Sequence, residues 1–240
     1  MDAWRTMESA MTDEAIRDLF GQVPFWADQT IGCYQPVAAY ESFVTEAYWS
    51  CCASVNAGEL RGMAGLPRAM SWREFLGDRK NNRLTAALKL FRENPGYYSG
   101  CPAQRDPPLS FVRINGRLYV GRDGRLRAAI ARFYLYSREC PYLHTVTLHE
   151  YTVDFEFMRL YDAFVKSCPP YLRATVAHIP DHREDGSGWK RDYYQELSVH
   201  ITDTRSGRTS VCDRFALAAA VARLERKASG KWRLYDRIFG

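Results

Sequence analysis

Long apolar runs are missing from this sequence. No stretch approaches the ~20 consecutive apolar residues that a membrane-spanning helix needs. The acidic start, which carries Trp4, also lacks the basic-then-apolar order of a secretory signal. A cytoplasmic protein without membrane insertion is the expectation. Cysteine is present but unorganised: the seven, at 33, 51, 52, 101, 140, 168 and 212, are odd in number and form no Cys-x-x-Cys pair. That argues against a disulfide framework and against zinc-spaced ligands. Adjacent Cys51 and Cys52 fall in a stretch of helix-like spacing and read as small core or half-buried thiols. Histidine is scarce, five in all. His144 and His149, five apart on an expected strand, face opposite sides, and His178 and His182 have no third ligand nearby. No protein metal site is expected. A Walker A loop and a Gly-x-Ser-x-Gly elbow are likewise absent.

What is present is arginine. The net charge of +5 is too modest to announce a nucleic-acid partner. Its distribution says more, because eight arginines (105, 113, 117, 122, 125, 127, 132 and 138) face only Asp106 and Asp123 between positions 105 and 138. They are a set of scattered surface charges or a local positive field suited to a nucleotide, a nucleic acid or an acidic protein surface. Aromatic residues make up 14% of the chain, with tyrosine pairs at 97–98 and 193–194 in expected loops. Such pairs cover a core edge or make protein and base-stacking contacts.

Local signals give a mixed α/β (α+β) chain. Helices are expected over 12–21, 36–56, 82–94, 125–136, 154–166 and 214–227 from apolar spacing and end signals. Ser71 and Glu74 have the form of a capping box before a short helix over 72–76. Strands over 111–114 and 117–120 flank Asn115-Gly116, a strong hairpin signal. Further strands are expected near 145–151, 172–179, 196–201 and 209–212, a polar loop over 182–190, and a strand or docked terminus over 232–239.

The helix ending at Glu93-Asn94-Pro95, then Pro107-Pro108-Leu109, the hairpin, and Asp123-Gly124-Arg125-Leu126-Arg127-Ala128-Ala129-Ile130-Ala131 together resemble the ParB/sulfiredoxin superfamily. The resemblance covers about residues 80–155. It implies a ParB/sulfiredoxin-like core over 80–168, framed by a helical N-terminal segment (1–79) and an α+β C-terminal extension (169–240) packed on the core. Arg125 and Leu126 stand where sulfiredoxins carry a cysteine and a histidine, so sulfinic-acid reduction is not expected. Size and flanks resemble the plasmid fertility-inhibition proteins of the Osa/FiwA type. That implies an inhibitor of conjugative transfer acting on the transfer DNA complex or the type IV secretion or coupling machinery. It further implies ATP or CTP binding, Mg²⁺, and ATPase or DNase chemistry. The alternative is a catalytically degenerate interaction module that keeps the core as scaffold.

The expected phosphate site is the 121–127 turn. Gly121 and Gly124 would allow positive φ or close approach, and Arg122, Arg125 and Arg127 would supply charge at a helix N-terminus. Arg127 is the leading candidate, since a guanidinium grips phosphate bidentately; otherwise it pairs with an acid on its own helix. Asp123 is an N-cap, an orienting group for Arg127 or a Mg²⁺ ligand. Glu93 is a candidate base or metal ligand, or a surface charge at a helix end.

Overall fold

The computed structural model describes residues 11–78, 82–102, 106–121, 123–138 and 140–228. Arg122, Trp4, Arg105 and the expected 232–239 element lie outside these residues. The chain divides into two units. The first comprises Met1–Pro36, Tyr48–Glu150 and Asp185–Lys190; the second comprises Val37–Ala47, Tyr151–Glu184 and Arg191–Gly240. Helices and mixed sheets together give the α/β (α+β) class expected from the sequence.

In the first unit, α1 (Asp13–Phe20) starts at Thr12, whose hydroxyl accepts from the Ala15 amide at 3.2 Å. Strand β1 (Val44–Asn56) belongs to this unit from Tyr48 on, and β2 (Leu60–Met63) follows it after a 3₁₀ turn over Ala57–Glu59. Helix α2 (Trp72–Gly77) carries the full capping box: Glu74 N donates to Ser71 Oγ at 3.1 Å, and Ser71 N donates to the Glu74 carboxylate at 2.6 Å. Then come α3 (Asn82–Glu93) and the single turn α4 (Gly96–Ser99). Strands β3 (Ser110–Ile114) and β4 (Arg117–Val120) pair antiparallel through Asn115-Gly116, both at positive φ as a two-residue hairpin turn requires. Helix α5 (Arg125–Ser137) leads to β5 (Tyr142–Val153). The strand order here is β2-β4-β3-β5-β1, with β2 parallel to β4.

Two expectations fail. Residues 44–56 form a strand, not the helix expected over 36–56. Its apolar residues satisfy helical spacing, but Val44, Thr45, Tyr48, Trp49 and Val55 are β-branched or aromatic and favour a pleated surface. The polar loop expected over 182–190 is instead a hairpin of β7 (Pro180–Gly186) and β8 (Trp189–Tyr194), turning at Gly188. β7 is exposed along its whole length, so it shows no apolar alternation to find. Of the tyrosine pairs expected in loops, Tyr193-Tyr194 accordingly sit on a strand and Tyr97-Tyr98 in the single turn α4.

The second unit holds α6 (Phe155–Ser167), β6 (Leu172–Ala177), β9 (Ser198–Asp203), β10 (Thr209–Cys212) and α7 (Arg214–Ala228). Its three-stranded antiparallel sheet runs β10-β9-β6. Asp154 caps α6 through the Phe157 amide at 2.9 Å and also receives Arg214, the first residue of α7. Arg214 reaches Glu156 as well, at 3.1 Å, so one guanidinium ties the starts of two helices.

Helix α5 is the axis of the first unit. Every residue over 128–135 is buried, among them Arg132 at 4% exposure. Its guanidinium lies 3.8 Å from the Trp26 ring centroid and 4.4 Å from that of Trp72. Among the described residues, Nε and Nη1 have no hydrogen-bond acceptor. Burial, with Arg61 as the nearby charge, pushes the group down to about 9, so it is still a cation at neutral pH. The two indole faces stand in for water, each attracting the charge through its ring quadrupole. Truncating Trp72 to Ala removes one face and opens a void. We expect a loss of ~3–5 kcal/mol in urea unfolding. Arg132→Met keeps the volume without the charge and should cost less than Trp72→Ala.

Candidate functional site

The turn into α5 is built around Gly124, the N-cap residue, at φ +82°. A Cβ there would lie 2.5 Å from Cδ2 of fully buried Leu109, so position 124 needs glycine for both space and backbone sign. Ala128 N donates to Gly124 O at 2.7 Å, starting the helix one residue later than an Asp123 cap would. Gly124, not Asp123, is the N-cap, and among the described residues no side chain caps α5, which corrects the N-cap expectation for Asp123. The first-turn amides therefore keep their partial positive charge.

These amides border a cavity of about 790 Å³. Asp123, Gly124, Arg125, Leu126 and Arg127 line it. A second wall is α3, through Arg83, Ala87, Leu90 and Asn94, which share one face at helical spacing. Leu66, Met70 and Phe75 add an apolar wall, and Tyr97 and Pro107 close the side nearest Arg127. The structure thus brings four of the six candidate residues of the 121–127 turn, Asp123, Gly124, Arg125 and Arg127, to one concave surface. Gly121 is not among the lining residues; its amide donates to Ser110 O at 3.0 Å in the β3–β4 region. Arg122 lies outside the described residues.

Both arginines are braced by the backbone. Arg127 Nη1 donates to Tyr97 Oη at 2.9 Å and to Pro107 O at 2.7 Å, and Tyr97 Oη donates to the same carbonyl at 2.6 Å. Arg125 Nη1 donates to Ala64 O at 3.0 Å and Gly65 O at 2.7 Å. Among the described residues neither guanidinium pairs with a carboxylate, and each commits only one nitrogen. The geometry holds two half-used forks at the start of a helix.

Glu93 does not line the cavity. Its exposed carboxylate stands 3.9 Å from Lys89, one turn back on α3. Its neighbour Asn94 takes the cavity position instead. The core stripe of α3 holds Leu84 and Phe91, both buried, and the stripe beside it, 83-87-90-94, is marked in the sequence only by an arginine and a leucine on one face. The histidines stay apart. His144 Nδ1 bonds Ser54 Oγ at 2.8 Å, and His149 is held below its usual range by burial and by Lys190. His178 Nε2 bonds Val44 O at 2.8 Å, and His182 Nδ1 bonds Asp181 at 2.9 Å. Among the described residues no three His, Cys, Asp or Glu side chains gather as a metal site.

Gly124→Ala should lose ~1–2 kcal/mol from the left-handed backbone alone, and more from the Leu109 contact. Chemical unfolding measures this directly, and an unchanged midpoint would contradict the geometry described. No family model, curated protein or solved structure matches the chain, so the reading of this site rests on its own residues.

Proposed function

We propose that the chain binds a phosphate-bearing ligand, a nucleotide such as ATP or CTP with Mg²⁺ or a stretch of DNA, in the cavity at the start of α5. The observation that carries this reading is the uncapped N-terminus of α5 opening, with Arg125 and Arg127, onto a cavity large enough for a nucleotide. Phosphate oxygens would take the first-turn amides and the unused nitrogens of the two guanidinium groups. The apolar wall of Leu66, Met70 and Phe75 would shelter a base or sugar. Asp78, Asp106 and Asp123 line the cavity and are the carboxylates that could meet a Mg²⁺ carried in by the ligand, and Glu93 is not on that surface. The reading therefore favours holding phosphate over cutting it. Following the resemblance to fertility-inhibition proteins, the biological role proposed is inhibition of conjugative DNA transfer, exerted on the transfer complex or the secretion and coupling machinery.

A second reading, an interaction module without nucleotide chemistry, is favoured by one observation. Arg125 and Arg127 each spend a nitrogen on backbone carbonyls, which makes them braces of the surrounding loops.

Calorimetric titration with Mg-ATP, Mg-CTP and short DNA separates the two. Wild type should bind at least one of them, with affinity falling steeply as salt is raised. Losing a charge-assisted contact of ~1.5–3 kcal/mol, Arg127→Ala should bind roughly 10- to 100-fold more weakly. Leu90→Trp, which fills the cavity without touching the arginines, should also weaken binding. Wild type that takes up none of these ligands would leave the interaction module.

A further inference from the structure

Cys51 and Cys52 are neighbours on β1, and successive strand side chains point to opposite faces. Theirs do not. The sulfurs are 3.5 Å apart and both residues are exposed. The cause is local. Ser50 is buried while Cys51 and Cys52 are both exposed, so the in–out alternation breaks at this point. The Cys52 amide donates to Ser50 Oγ at 3.2 Å, a contact within the strand's own three residues, while the Cys51 amide donates to Gly188 O at 3.0 Å. The break in alternation brings both sulfurs together at the exposed side of the strand. The turn residue facing the pair is glycine, and a Cβ at Gly188 would stand 2.9 Å from Cys51 Sγ. The fold thus leaves room for this thiol.

Two exposed thiols at this spacing have a defined chemistry. Adjacent α-carbons are ~3.8 Å apart, shorter than the ~4.4–6.8 Å of ordinary disulfides, so direct S–S bonding is disfavoured. One atom bound to both sulfurs suits the pair better. Bonds of ~2.3 Å, typical of thiolate to a soft centre, span 3.5 Å at an angle near 100°. Closed four-ligand zinc does not fit, since no third ligand gathers here among the described residues. A pyramidal three-coordinate centre needs only these two sulfurs.

We propose that Cys51 and Cys52 form a dithiol site that captures a trivalent arsenical by bridging both sulfurs. With phenylarsine oxide, two S–H bonds and the As–O bonding are exchanged for two As–S bonds. The oxygen leaves with both protons as water, and arsenic stays trivalent. The hydrogen bond it shares with Cys51 holds the Cys52 thiol protonated and pushes it up, so capture should quicken as pH rises above neutrality.

Intact-mass spectrometry of the reduced full-length protein tests this with equimolar phenylarsine oxide. The expected result is one adduct per chain that survives excess 2-mercaptoethanol and is stripped by 2,3-dimercaptopropanol. C51S and C52S, folded by circular dichroism, should each lose the monothiol-resistant adduct, whereas C33S and C101S should keep it. Absence of the adduct in wild type, removal by the monothiol, or persistence in C51S or C52S would overturn the proposal.

Discussion

The first unit is organised around a buried cation that pairs with no carboxylate among the described residues. Arg132 sits in the interior between Trp26 and Trp72, which meet edge-on at 6.3 Å between ring centroids. Taking a guanidinium out of water costs several kcal/mol, which the two nearby indole rings and a 3.5 Å hydrogen bond from Nη2 to Gly58 O help to offset. The arrangement therefore demands that three segments arrive together: the loop bearing Trp26, helix α2 and helix α5. Other contacts serve the same junction. Arg73 on α2 donates to the Asp28 carboxylate at 2.6 Å and reaches Asp13 on α1, while Phe133 packs at 4.7 Å from Trp26. Aromatic packing continues outward through Phe20, Phe91, Tyr98 and Tyr134 to α3 and α4.

That junction fixes the candidate site. Arg127 lies five residues before Arg132 on the same helix, so anchoring one positions the other. The start of α5 then faces a cavity whose far wall, α3, is held to α5 by Phe91 against Tyr134. Arg125 and Arg127 extend the bracing sideways. One grips the Ala64 and Gly65 carbonyls, the other Pro107 and Tyr97. In each case a guanidinium ties down backbone carbonyls of a neighbouring loop and, among the described residues, keeps donors that pair with no carboxylate. A rigid concavity with spare cationic donors is pre-organised for an anion, because ordering costs are met on folding.

Local chemistry made part of this legible. The Asn115-Gly116 hairpin, the Ser71–Glu74 capping box, helix α3 stopped before Pro95, and α5 with its glycine turn each carry a short-range signal that the structure confirms. β1 was misread because its apolar residues fit a helical period as well as a strand, and short-range spacing does not arbitrate when tertiary pairing decides. β7 was missed because an exposed edge strand of charged residues looks like a loop. The turn residues were found, but the cavity was not. Its walls come from Leu66, Phe75, Leu90 and Pro107, far from Arg127 in sequence. The acceptors that hold the arginines are backbone carbonyls, which leave no mark on the residue pattern. Arg132 is one of eight arginines between 105 and 138; the apolar run that flanks it on both sides, 128–131 and 133–135, is the sequence signal of its burial, and the charge itself hides that signal.

The central claim is that the start of α5 is an anion-binding surface. The most direct measurement is two-dimensional NMR of the ¹⁵N-labelled protein titrated with Mg-ATP and, separately, inorganic phosphate. The account predicts saturable shifts of the Arg125, Leu126 and Arg127 amides, with the Arg83–Asn94 face of α3 moving for the nucleotide. Shifts confined to other basic surfaces, with these amides unmoved, would contradict it.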